Sequence, residues 1–174
     1  MRMIRDSFIG TFALVAMLLA GSVSSRAADS TARVQLDSSK AAPRAVESRT
    51  EQVILRDYGF AWTSLAQALE FNTADPLEGP FVDTGKKSLS EKLASQRRTG
   101  LSQRYLDQSH KLQAVFYAPE GDVIELHDTA EYQLQILDGS KVIHDEHVVR
   151  RYVVLMTPGA DRWVIRQLQA VPRF

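Results

Sequence analysis

The stretch that most constrains this chain is "VIELHDTAEYQLQIL", residues 123–137. Ile124, Leu126, Ala130, Tyr132, Leu134 and Ile136 fall on one side of a two-residue repeat, and Glu125, His127, Thr129, Glu131, Gln133 and Gln135 on the other. A helix would scatter these residues around its circumference. A strand with one face in the core and one in water sorts them cleanly. Asp138-Gly139 then opens a hairpin turn. "VIHDEHVVRRYVVLMT" (142–157) is a further strand, rich in β-branched residues. "PGAD" turns the chain again into "RWVIRQLQAV" (162–171), while "HKLQAVFYA" (110–118) before the turn "PEGD" supplies a fourth strand upstream. Four strands joined by short turns predict an antiparallel meander.

Before these strands the period is helical. Val53 or Ile54, then Tyr58, Trp62, Leu65 and Leu69 recur at three- and four-residue steps, predicting a helix from about 47–50 to Phe71. Pro76, Gly79, Pro80 and Gly85 make 72–85 a loop. Ser88-Leu89-Ser90-Glu91 has the spacing of a capping box, in which serine and glutamate satisfy each other's free backbone N–H groups. The helix it opens turns Leu89 and Leu93 inward, ends near Gly100, and carries Lys86, Lys87, Lys92, Arg97 and Arg98 as a solvated face. Helices followed by strands predict the α+β class.

The first 27 residues belong to targeting rather than to the fold. Arg2 and Arg5 precede an apolar run from Phe8 to Ala20, short for a membrane span, and Ser25-Arg26-Ala27 offers a cleavage site. The expectation is a signal peptide over 1–27, a flexible linker over 28–46 that is rich in Ser, Ala and charge, and one domain over 47–174, placed in the periplasm or secreted. An uncleaved membrane anchor is the alternative. Cleavage removes Arg2, Arg5, Arg26 and Asp6, so 21 basic and 21 acidic residues become 18 and 20, a net charge of −2. No field of that sign draws a nucleic acid. The chain has no cysteine, which excludes disulfides, thiolate catalysis and lipid attachment at cysteine, so the core must hold the domain alone.

The order helix, loop, helix, four long strands resembles the nuclear transport factor 2-like superfamily over roughly residues 47–172. The residues that carry the likeness are Tyr58 and Trp62 in the first helix, the alternating strand 123–137, and the closing hairpin "VVLMTPGADRWVIRQLQAV". The resemblance implies N-terminal helices packed on the concave face of a curved antiparallel sheet of four or more strands, with a pocket at the mouth of the cone. It also implies a possible homodimer through the outer face. Members of the superfamily include isomerases and dehydratases as well as non-catalytic binding and scaffold domains, so fold alone does not assign function.

Asp128 is the most informative polar residue. It interrupts the apolar face of its strand, where a lone carboxylate is costly unless paired. A hairpin loop of Asp138–Lys141 places it opposite Arg151, and a three-residue loop opposite Arg150, with bulges able to shift either register. Three roles stay open for it: a structural ion pair, a pocket ion pair that orients a ligand, and a general base. Tyr58, Trp62 and Tyr132 are core aromatics that could also line a ligand pocket with Arg150 and Arg151. His127, next to Asp128, points to the other face, and His110 has no evident partner.

"VIHDEHVV" (142–149) looks like a metal site, but its valines and isoleucine favour a strand, which sends His144 and His147 to opposite faces. Each face then holds two potential ligands, fewer than a firm zinc site needs. Neither a glycine-rich phosphate loop nor a nucleophile elbow is present. The sequence gives no reason to expect a metal or cofactor. The leading expectation is a non-catalytic binding module for a small apolar ligand or a protein partner. The alternatives are a small pocket enzyme with Asp128 as general base, and a scaffold component of an envelope assembly.

Overall fold

The computed structural model describes residues 32–174, and the expected signal peptide lies outside them. Helix α1 spans Ser48–Phe71 and α2 spans Asp83–Thr99, with a short 3-10 turn at Asp75–Leu77 between them. The strands are β1 (Arg33–Asp37), β2 (Ala42–Pro43), β3 (Leu101–Tyr117), β4 (Ile124–Asp138), β5 (Lys141–Pro158) and β6 (Trp163–Val171). Two helices pack against a curved, unclosed six-stranded sheet, which is an α+β fold.

Helix α1 follows its apolar stripe: Ile54, Tyr58, Ala61, Trp62, Leu65, Ala68 and Leu69 are all buried. It stops at Asn72, whose left-handed backbone (φ 54°) lets its N–H close on the Ala68 carbonyl. Helix α2 begins at Asp83, five residues before the expected capping box, and the Ser88 hydroxyl donates instead to the Gly85 carbonyl within the helix. Gly85 is therefore not a loop residue. It lets α2 approach the sheet, because a Cβ there would stand 3.0 Å from the Ile165 carbonyl oxygen and 3.1 Å from that of Arg166.

The meander β3-β4-β5-β6 is antiparallel, and β4 alternates along most of its length, buried on the even residues up to Leu134. Two features depart from expectation. First, the linker is not a linker along its length: Arg33–Asp37 pairs in parallel with Ser109–Gln113, and Ala42–Pro43 with Phe116–Tyr117. The sheet is thus mixed. Val34 and Leu36 pack against the core on one side of β1, and the β3 edge satisfies its backbone. Second, β3 starts at Leu101, directly after the left-handed Gly100, nine residues earlier than predicted.

The core lies between the helices and one sheet face. Its largest fully buried side chains include Trp62, Tyr58, Tyr132, Phe81 and Ile165. Side chains of this size contribute about 1.5–3 kcal/mol each when buried. Coverage ends partway along β5. Lys141–His147 is exposed at every residue, whereas Tyr152, Val154 and Met156 are buried.

Candidate functional site

Asp128 lies on the buried face of β4, and its side chain is fully shielded from solvent. Across the sheet its neighbours are Leu112 on β3 and Tyr152 on β5. Neither arginine faces it: Arg151 lies opposite Thr129, and Arg150 opposite Ala130. The turn is the expected one, with Asp138 opposite Lys141 and Leu137 opposite Val142, but a bulge then pairs Ile136 with His144. The extra residue, Ile143, moves every later pair by one position.

The partners come from elsewhere. The Tyr58 hydroxyl of α1 donates to Asp128 Oδ2 at 2.7 Å, and His110 Nδ1 on β3 lies 2.8 Å from the same oxygen. With its proton on Nδ1, His110 donates as well. The Trp62 ring sits 4.4 Å from the His110 ring and 5.3 Å from that of Tyr152, which closes the cluster. Burial and the neighbouring Asp128 push the Tyr58 hydroxyl well above the ordinary tyrosine range, so it stays a donor. Asp128 Oδ1 and His110 Nε2 are buried without a hydrogen-bond partner among the described residues.

Tyr58, Trp62 and Asp128 are thus brought together, as the apolar stripe of α1 and the alternation of β4 imply. Tyr132 is one step removed, stacked on Tyr105 with ring centroids 4.4 Å apart. Arg150 and Arg151 are exposed and stand outside the cluster. Sequence reasoning missed His110, although His110, Leu112 and Ala114 alternate on the same face and are all buried. It also missed Asp57, a buried acid on α1 whose Oδ2 accepts the Trp163 backbone N–H at 2.7 Å and whose Oδ1 accepts Arg56 Nε at 2.8 Å. Asp57 ties α1 to the start of β6.

Open space lies away from Asp128. A surface cleft of about 450 Å³ separates α2 from the ends of β3 and β4, lined by Lys92, Ser95, Gln96, Thr99, Leu101, Gln103 and Ile136. A smaller one, about 280 Å³, is formed by Arg56, Asp57, Phe60, Asp161 and Arg162, with the Arg162 guanidinium stacked 4.6 Å above the Phe60 ring. Among the described residues, no group of three or more histidine, aspartate or glutamate side chains is placed to hold a metal.

No protein-family model matches this sequence. No curated protein matches it either. Among solved structures, the intermembrane space region of the chloroplast protein ARC6 superposes on it with a TM-score of 0.56. The superposition covers 74% of this chain and 98% of that one at 15% sequence identity. At that identity the likeness is one of fold: helices packed on an open, curved sheet.

Proposed function

We propose that this protein is an exported, non-catalytic binding domain of the nuclear transport factor 2-like type, acting in the periplasm or outside the cell. Its occupant is a small apolar ligand or a protein partner. The observation that carries the reading is the closure around Asp128. A general base must come within hydrogen-bond reach of the proton it removes. This carboxylate is fully shielded, with one oxygen already accepting Tyr58 and facing His110, under a helix. The acid therefore serves to position α1 and β3 on β4. The apolar run at the N-terminus supports export. The neighbour from an intermembrane space is consistent with a domain of this shape working between membranes.

One observation favours the second reading, a pocket enzyme: a tyrosine and a histidine on a single aspartate is an arrangement that proton transfer uses. Accessibility separates the two. Diethylpyrocarbonate should modify His127, His144 and His147 in the native protein and spare His110 until the protein unfolds, as peptide mass mapping would register. Native-state modification of His110 at a rate near that of the other three would mean that the acid opens to solvent, and the enzyme reading would replace ours.

A further inference from the structure

Lys92 is a cation on α2 whose ammonium rests against a tyrosine rather than an acid. It belongs to the solvated face that the sequence predicts for α2, and the residue as a whole is exposed. Its ammonium, however, turns inward and donates to the Tyr105 hydroxyl at 3.0 Å, 5.7 Å from the centre of that ring. No carboxylate among the described residues pairs with it, although Lys86 on the same helix pairs with Glu78 at 2.6 Å. The charge that acts on it is another cation, Arg150 on β5, which itself interacts with Tyr132, Tyr152 and Tyr105. Glu146 is the acid that offsets Arg150. Burial, and then Arg150, lower the Lys92 ammonium to about 8.

The cleft beside this ammonium has two kinds of wall. Lys92, Ser95, Gln96 and Thr99 fall at helical spacing along one side of α2, and Leu101 and Ile136 form an apolar floor on the sheet. Gln96 is 93% buried, and its amide nitrogen donates to the Leu69 carbonyl and to Asn72 Oδ1, both at 2.6 Å. Its Oε1 has no hydrogen-bond partner among the described residues. An ammonium held against the buried Tyr105 with no anion beside it, next to apolar Leu101 and Ile136, favours a negative head group that carries an apolar chain. The volume falls within the range of small-molecule sites.

We propose that this cleft binds a small carboxylate with an apolar chain, its head on Lys92 and its chain along Leu101 and Ile136. The proposal rests on the binding reading above and names the ligand class. The carboxylate replaces water at the ammonium and supplies the missing counter-charge. Arg150 adds a long-range pull and the Tyr105 hydroxyl orients the ammonium. Affinity is therefore flat from about pH 6 to 7.5, where Lys92 is charged and the carboxylate ionised, and falls above about pH 8 as Lys92 loses its proton. The other groups facing the site are Tyr105 and Tyr132, both pushed up by burial, and Arg150, raised by its tyrosine neighbours, so none of these changes charge in that window.

The test is isothermal titration of the full chain with octanoate and with octanol at pH 7, and with octanoate again at pH 9. Octanoate should bind at least about tenfold more tightly than octanol, and should weaken about tenfold at pH 9. Lys92→Met should lose at least that factor for octanoate and little for octanol. The same variant should melt at a higher temperature than the parent, because it removes an unneutralised cation. A purely structural lysine would show the opposite change. Lys92→Arg, which keeps the charge, should retain most of the octanoate affinity. Equal binding of octanoate and octanol, undiminished octanoate binding by Lys92→Met, or no octanoate binding at millimolar concentration would each overturn the carboxylate assignment. None of these touches the binding reading, which stands or falls on the accessibility of His110.

Discussion

The domain holds histidine–acid pairs in two settings. In the covered half of the sheet His110 meets Asp128 at 2.8 Å, with both side chains fully buried. On the uncovered part His147 meets Glu131 at 3.2 Å and His144 meets Glu146 at 3.6 Å, each about half exposed. The side-chain chemistry is nearly the same, but the surroundings are not. Around Asp128 the competing partner is not water but apolar side chains, so any donor left without its acceptor keeps the whole cost of its desolvation. Around His144 and His147 water takes over whatever a lost partner supplied, and salt screens what remains. The difference teaches that the His-Asp-Glu-His cluster, conspicuous in the sequence, carries little of the fold, whereas the isolated Asp128 organises three elements.

The buried pair can be broken most directly by Asp128→Ala. That substitution strands the Tyr58 hydroxyl and His110 Nδ1 under α1. Unsatisfied buried donors cost about 1–3 kcal/mol each. We expect a loss of about 3 kcal/mol, seen as a drop in melting temperature of roughly 6–12 °C for a domain of this size. Tyr58→Phe removes one donor only and should cost about 1–2 kcal/mol. Because the two residues share one bond, the double variant should lose clearly less than the two single losses added together. Strict additivity in thermal or urea unfolding would mean that Asp128 is not organised through Tyr58, and the contrast with the surface pairs would collapse.

The cover over the buried half can be tested at its closest approach. Gly85→Ala gains helix propensity worth up to about 1 kcal/mol. It also drives a methyl to 3.0 Å from the Ile165 carbonyl, a fully buried backbone that accepts the Val82 N–H at 3.0 Å while its own N–H donates to the Pro80 carbonyl at 2.9 Å. Held on both sides, Ile165 cannot yield cheaply. The net effect should be destabilising by about 1–2 kcal/mol, as overpacking usually is, with α2 displaced and hydrogen exchange faster along 83–99. A stabilised variant would show that α2 is a loosely laid cover.

How far the sequence announces this arrangement depends on the length of each periodic run. The alternation of β4 from Ile124 to Leu134 and the stripe of α1 place Asp128, Tyr58 and Trp62 on facing surfaces by sequence alone. His110 follows the same alternation through Leu112 and Ala114, so its position was legible, but its partner was not. The hydrogen bond depends on the β3–β4 register, which is shifted by one bulge between Leu106 and Ser109 and another between Ala114 and Phe116. The pairing of Asp128 with an arginine failed for the same reason, since one unpaired isoleucine in β5 changes every later partner and leaves no mark in composition. Strand β1 was hidden by brevity. Val34 and Leu36 give two alternations among serines and alanines, and what makes them a strand is the long free edge of β3. Lys92 was hidden by its helix, because position along α2 marks it as surface while the length of its stem lets the charge turn inward.

The smallest effect belongs to the uncovered pairs, and it sharpens the comparison most, because the sequence gives them the greater prominence. His144→Ala and His147→Ala each remove a partner from an exposed acid, in a strand segment where Lys141–His147 is exposed throughout. Exposed pairs contribute about 0–1 kcal/mol, and substitutions at such positions stay within about 0.5 kcal/mol. Both variants should therefore melt within about 2 °C of the parent. The histidines also project to opposite faces of β5, His144 beside Glu146 and His147 toward Glu131 on β4, so a single ion would meet no more than two of these four side chains. A structural zinc site takes four ligands. Added zinc at about 100 μM should then leave the melting temperature of the parent unchanged, and it should leave both variants unchanged by the same measure. A zinc-dependent rise that disappears in either variant would mean that β5 twists enough to bring both imidazoles to one ion. The uncovered half of the strand would then hold a working site of its own, and the division between a buried half that organises the fold and an exposed half that does not would have to be redrawn.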